Sequence, residues 1–324
     1  MKIVFLGSSS FGIPSLEAIA GSRHTLAGVF TQPARPAGRH RDPKPTDVAL
    51  WCAARGVSCV EAGDINAPET QSQVAACGGE LLVVIAFGQK IGQPVIDLHR
   101  FSAINVHASL LPRYRGAAPI HWALMRGESD TGISIITLAQ RMDAGRILAH
   151  KCVPIAPDET FQTLHHKLSE LAVPVLMDTL DAIEEGRAIF MPQDEGLVTL
   201  APRLKKEHGY IDWNRPAEEI ANQIRALCPW PGAQSVFISA KTGRSWRVIL
   251  CKATVVHQCN ELGDIPGLID EQLNVICGWD RLNILAITPS GSDSMSFEAF
   301  ARGRHTQKGD MFLPIDRVLQ GIVP

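Results

Sequence analysis

Residues 80–88 read ELLVVIAFG, a run of seven apolar residues from Leu81 to Phe87 closed by Gly88. Such a run has no alternation and therefore no wet face. It reads as a strand buried on both sides, as found in parallel sheets covered by helices on each face. The preceding stretches fit that sheet. KIVFLG (2–7) is a short strand ended by glycine, and PSLEAIAGS (14–22) is a helix with Pro14 in its first turn and Gly21 near its end. HTLAGVFTQ (24–32) is a strand, PTDVALWCAARG (45–56) a helix, VSCVEA (57–62) a strand and APETQSQVAACGG (67–79) a helix. Alternating strands and helices predict an α/β, Rossmann-like parallel sheet. The glycines of GSSSFG (7–12) do not make a dinucleotide fingerprint, which needs G-x-G-x-x-G, and no Lys-Ser/Thr follows them as in a P-loop. They read as a strand-to-helix turn.

Further along, DETFQTLHHKLSELAV (158–173) predicts a helix with Asp158 as its N-cap. Phe161, Leu164, Leu168, Leu171 and Val175 form its apolar stripe, and Pro174 is expected to kink or interrupt it. His165 and His166 lie beside the stripe without a carboxylate or cysteine at ligand spacing, so no metal is assigned. From 187 to 207 no period is visible, and the segment reads as a linker. Beyond it VFISA, WRVILCKATVV, GLID, LNVICG and LNILAITP are short strands between turn signals, which predicts a small OB-like β-barrel. The expected division is a first domain over 1–204 and a barrel domain over 205–324.

Bulk properties narrow the function. The 324 residues allow two domains, and the formal net charge is −2, so the molecule as a whole is no polycation for nucleic acid. Residues 205–324 hold 13 Lys+Arg and 13 Asp+Glu, a formal charge of zero. Eight cysteines show no CxxC and no zinc spacing, which suits reduced thiols in the cytoplasm. The apolar run at the N-terminus is too short for a signal peptide, and no segment approaches a membrane span.

The chemistry concentrates in INVHASLLPRYRGAAPIHWAL (104–124). Asn105 and His107 are two residues apart on a strand, so both side chains leave one face. At the carboxyl edge of a parallel sheet that face opens into the usual ligand crevice. An imidazole there can move a proton near neutral pH, and an amide can donate to an oxygen gaining charge. Asp143, at the end of ISIITLAQRMDAG (133–145), follows another strand and could orient His107 or a water. Each residue alone fits an ordinary hydrogen-bonded loop better; the three together fit a catalytic edge and such loops equally well.

These motifs resemble the folate-dependent formyltransferase family: N-x-H before SLLP, the RYRG loop and the aspartate of MDAG, in that order. FTQPARPAGRHR, VVIAFGQKI, IDWNRPAEEIANQIRALCPWPGA and FARGRHTQKGDMFL extend the resemblance over essentially the whole chain, toward the members that act on a tRNA. It implies a formyltransferase domain followed by the barrel domain, and a formyl group moved from 10-formyltetrahydrofolate to the α-amine of methionyl-tRNA. It further implies Asn105, His107 and Asp143 as the catalytic trio. Ser109, Leu110, Leu111 and Pro112 correspond to the folate-binding loop. Phe87, Gly88 and Gln89 fall at the pterin pocket, where many relatives carry tyrosine for Phe87. No metal and no protein partner is implied. Amine attack on a formyl carbon passes through a tetrahedral oxyanion, so the donors Asn105 and His107 suit the task.

QPARPAGRHRDPKPT (32–46) carries Arg35, Arg39, Arg41 and Lys44 against Asp42, a local charge of +3, and its four prolines forbid a helix or central strand. By composition it is a solvated loop. The resemblance makes it the insertion that meets the tRNA acceptor end and orders there. PWPGA (229–233) is a rigid turn, Asp212 and Trp213 anchor the start of the barrel, and RGRHTQKGD (302–310) is a solvated surface. Other readings stay open on the sequence: a formyltransferase acting on a nucleotide-linked amino sugar, a formyltetrahydrofolate hydrolase, or a non-catalytic RNA-binding protein. The last would be poor in stacking aromatics and neutral in charge.

Overall fold

The computed structural model of the chain describes residues 1–37 and 42–316. In chain order, the elements up to residue 184 are β1 (Lys2–Gly7), α1 (Ile13–Ala20), β2 (Thr25–Thr31), β3 (Arg35–Ala37), β4 (Asp42–Lys44), α2 (Asp47–Arg55), β5 (Val60–Glu61), α3 (Pro68–Ala76), β6 (Leu81–Ile85), α4 (Gln93–Ile96), β7 (Ala103–His107), α5 (Pro119–Met125), β8 (Asp130–Thr137), β9 (Ile147–Pro154) and α6 (Phe161–Glu184). The second half adds α7 (Ala217–Leu227), β10 (Ala233–Ile238), β11 (Ser245–Val256), β12 (Val275–Ile276), β13 (Arg281–Pro289), β14 (Met295–Ser296), α8 (Phe297–Arg304) and β15 (Met311–Pro314).

Packing divides the chain into two units. One comprises residues 1–116, 130–154 and 163–201; the other comprises 117–129, 155–162 and 202–324. The long C-terminal stretch of the second unit starts at residue 202, and two earlier pieces pack with it. One of them carries α5, which lies against α7. A helix pattern in the sequence shows which face is apolar, not which neighbour covers it.

The first unit is built on a seven-stranded sheet in the order β5-β2-β1-β6-β7-β8-β9. The strands from β5 to β7 run parallel. The parallel strands are the expected Rossmann-like core, and β8 and β9 complete the sheet in antiparallel fashion. The short 138–146 connection accounts for the β8–β9 return, being too short for a crossover; the β7–β8 connection, 108–129, carries α5 and imposes no such limit. All five residues of β6 are buried, as its unbroken apolar run requires. The outer strand β9 keeps His150, Lys151 and Cys152 exposed, so the free edge is polar.

Asp158 is not the N-cap of α6; the helix starts at Phe161 and Asp158 lies in the turn before it. Nor does Pro174 interrupt the helix, which runs on to Glu184. Pro174 is exposed, so the carbonyl it leaves without an amide partner faces water. The buried stripe is Leu164, Leu168, Ala172, Leu176, Leu180 and Ile183, which leaves Leu171 and Val175 only half-buried.

In the second unit the strands form an antiparallel sheet ordered β12-β13-β11-β10-β15, with β14 on β13. Leu268 bridges Met311 of one edge strand and Ile269 bridges Val275 of the other, giving a nearly closed barrel. Trp213, Phe237, Phe300 and Phe312 fill its core, and the Trp213 indole N–H donates to Ser235 Oγ at 3.1 Å. GLID forms only these isolated bridges, and part of the stretch read as a solvated surface, Arg302–Arg304, belongs to α8.

Candidate active site

Asn105 and His107 occupy the carboxyl end of β7, between β6 and β8. Asn105 is in register with Val84 and Ile136, and His107 with Ser134. His107 is buried at 6% exposure, while Asn105 is half-buried. No described residue hydrogen-bonds the Asn105 amide, so it stands available on the same face as the imidazole.

The imidazole is held at one nitrogen and open at the other. His107 Nε2 lies 2.9 Å from the carbonyl oxygen of Tyr114. A carbonyl only accepts, so Nε2 carries the proton and Nδ1 of the neutral ring keeps its lone pair. Nδ1 faces Asp143 Oδ2 at 3.7 Å, too far for a hydrogen bond. Asp143 Oδ2 also accepts the Gly116 N–H at 2.8 Å. The loop after β7 therefore supports both partners: Tyr114 turns the histidine ring and Gly116 holds the aspartate.

That loop is braced from inside. The Ser109 hydroxyl donates to the Arg113 carbonyl, and the Leu111 N–H donates to Ser134 Oγ, whose hydroxyl donates to the Ser109 carbonyl. Ser109 is fully buried and Leu111 nearly so, while Leu110 packs over Gly132, where an added Cβ would stand 2.6 Å from it. The Leu111–Pro112 bond is cis. From the other side, Thr199 Oγ1 accepts the Tyr114 N–H and the Thr199 carbonyl accepts the Arg115 N–H, both at 2.9 Å. Gly116 (φ +129°) leaves no room for a side chain, since a Cβ would lie 2.4 Å from the Ala201 carbonyl oxygen.

The turn after β6 stands beside this loop, at the end of the neighbouring parallel strand. Phe87 is buried, and its carbonyl accepts from Gln32 Nε2 at 2.8 Å and Ser8 Oγ at 3.1 Å. Gly88 takes φ +85°, and a Cβ there would meet Gln32 Nε2 at 2.8 Å. The Gln89 amide is already engaged: it donates to the Ala62 and Gly63 carbonyls and accepts the Ile65 N–H. Its side chain shapes the crevice wall by holding residues 62–65.

Arg35 and Lys44 face each other across the β3–β4 ribbon, both exposed. Arg39 and Arg41 lie outside the described residues. His121 stacks on Phe161 at 3.9 Å, and His165 sits edge-on to Phe11 at 5.2 Å. Among the described residues one cluster has metal-ligand proximity, His24, Asp181 and Glu184, but Arg23 Nη2 already lies 2.8 Å from Asp181 and 3.0 Å from Glu184.

Sequence reasoning missed a second layer in the 187–207 segment. Arg115, 6% exposed, directs Nε and Nη2 at Gln193 Oε1 (3.0 and 2.7 Å) and Nη2 at Glu195 Oε1 (2.9 Å). Hydrogen bonds from Arg115 and then Arg141 hold the Glu195 carboxyl below its ordinary range. The one sequence clue was the arginine itself, since a charge packed against a buried loop needs a partner.

Such a sheet, with an asparagine amide, a histidine and an aspartate at its carboxyl edge and a barrel after it, defines a class. The chain belongs to the formyltransferase family: residues 1–180 match the formyl transferase family and residues 203–305 match the formyl transferase C-terminal domain. Within the family it is similar to methionyl-tRNA formyltransferases. It is 36% identical to that of Trichlorobacter lovleyi over 97% of each chain, and 37% identical to that of Moorella thermoacetica over 96% of this chain and 99% of the relative. The fold is shared with the N-formyltransferase of Helicobacter canadensis, solved with folinic acid and dTDP-3-aminofucose (TM-score 0.63, 15% identity, 88% of this chain and 99% of that one). It is shared too with HypX from Aquifex aeolicus, solved with tetrahydrofolic acid (TM-score 0.58, 18% identity, 93% of this chain but 47% of that one).

Proposed function

We infer that this chain transfers the formyl group of 10-formyltetrahydrofolate to the α-amine of methionyl-tRNA, the formylation that marks an initiator tRNA, and that Asn105, His107 and Asp143 carry the chemistry. The substrate pair is supported by relatives of that activity matching nearly the full length at 36–37% identity. The assignment of residues rests on one observation, an imidazole tethered at Nε2 whose Nδ1 faces a carboxylate, with an unengaged amide on the same face. We assign the work to the cytoplasm on the strength of that substrate. Among the described residues no helix is long and apolar enough to cross a membrane.

The donor supplies an electrophilic carbonyl carbon. His107 Nδ1 takes the proton the attacking amine must lose and returns it to the departing folate nitrogen. Asp143 lies on the Nδ1 side, where the positive charge develops. Asn105 donates its amide N–H to the oxygen that becomes negative. Ser109, Leu110, Leu111 and Pro112 on one side and Phe87, Gly88 and Gln89 on the other would hold the folate, because they stand at the ends of adjacent parallel strands, where such sheets take their ligands. We assign acceptor affinity to the barrel unit. A 1–204 fragment is a poor test of this, since it strips α5 of α7; surface substitutions on the barrel serve better.

Arg35, Arg39, Arg41 and Lys44 are assigned to the acceptor stem. Replacing Arg39 and Arg41 together by alanine is expected to weaken methionyl-tRNA use and to flatten its log–log salt dependence by about one unit per lost phosphate contact. Folate affinity should hardly move. A double variant with parental tRNA kinetics across a salt series would remove this loop from the RNA site. The substrate itself is tested by offering the purified protein 10-formyltetrahydrofolate with methionyl-tRNA, free methionine or a nucleotide-linked amino sugar. Formylation of the amino sugar alone would overturn the reading.

A further inference from the structure

We propose that Gln193 is a positioning residue for Asp143. The proposal rests on the reading of Asp143 as part of the catalytic trio. Gln193 Nε2 donates one hydrogen to the Asp143 carbonyl and the other to the Gly145 carbonyl, each at 2.7 Å. Its Oε1 accepts twice from Arg115, which leaves the amide with no spare donor and fixes which end is oxygen. Arg115 is in turn anchored to Glu195.

What the amide holds is an unusual piece of backbone. Asp143 adopts φ +54°, in the left-handed region that residues other than glycine rarely enter. Its carbonyl orientation is coupled to the direction in which its Cβ, and so its carboxylate, leaves the chain. Pinning the carbonyls on both sides of Ala144 keeps Oδ2 on the Gly116 N–H and beside His107 Nδ1. Gln193 has four protein bonds and none left for substrate, so it acts through Asp143.

The test is a double-mutant cycle in the full chain, read by single-turnover and steady-state kinetics with 10-formyltetrahydrofolate and methionyl-tRNA. Gln193→Leu removes both donors. Gln193→Glu keeps the size and the pairing with Arg115 but sets a carboxylate oxygen against the two carbonyl oxygens, so its melting temperature is read beside its kcat to separate positioning from folding. Both are expected to lower kcat by about 5–20-fold, as displacement of an active-site group by a fraction of an ångström does, with KM for either substrate within about twofold. In an Asp143→Ala background, itself strongly impaired, adding Gln193→Leu should change nothing further, because the effect has no route left. Parental kcat in both Gln193 variants would overturn the proposal, as would an equal loss in the Asp143→Ala background or a loss confined to KM. Near-parental turnover of Asp143→Ala alone would overturn the catalytic reading and this inference with it. A crippled Asp143→Ala beside unaffected Gln193 variants would overturn the inference alone.

Discussion

Replacing His107 with alanine is expected to lower turnover by about 10²–10⁴-fold, the range for loss of a general acid/base. The imidazole offers a lone pair at Nδ1, on the side of Asp143, while its other nitrogen is spent on the Tyr114 carbonyl. The substitution carries a structural cost as well, because His107 is buried at 6% exposure within an interior strand. The Tyr114 carbonyl would lose its partner, at about 1–3 kcal/mol. His107→Gln offers a replacement donor near that carbonyl without an imidazole lone pair, so it separates chemistry from folding. Asn105→Ala should cost about 10²–10³-fold, as for one oxyanion donor, with less effect on melting because the amide bonds no described residue. Near-normal kcat in His107→Ala, with melting unchanged, would falsify its role as the proton carrier.

Much of this site was legible in the residues. The unbroken run at 81–87 required a strand buried on both faces, and the i, i+2 spacing of Asn105 and His107 put both on one side of a strand end. What periodicity cannot carry is the identity of neighbours. β8 reads like β6 because both are almost wholly buried, so its antiparallel pairing had no signature in composition. The brace formed by Gln193 and Thr199 lies in a segment without helix or strand period, and its bonds run to residues 48 or more positions away. The Gln89 amide is used by the backbone of residues 62–65, a contact only the folded chain makes.

Gly145→Ala is expected to impair catalysis from outside the chemistry. An added Cβ at this position would lie 1.6 Å from the Thr137 carbonyl oxygen and 2.9 Å from Thr137 Oγ1. The first is backbone of β8, which is held on its other side by pairing with Ile104 of β7. The loop must therefore lift off the strand by more than an ångström, and it takes Asp143, two residues earlier, with it. Misplacement on that scale costs about 10²-fold in rate. Overpacking of this kind adds a stability loss of roughly 1–3 kcal/mol. Lifting the loop also draws the Gly145 carbonyl away from Gln193 Nε2. Gly303→Ala supplies the contrast: a Cβ there meets nothing within 4 Å and lies in α8, so turnover should stay at the parental level. Measured side by side, kcat and the melting temperature should both fall for Gly145→Ala and for neither in Gly303→Ala. If Gly145→Ala melted lower yet kept full kcat, the loop would have moved without moving the carboxylate, and the link from Gly145 to Asp143 would fail.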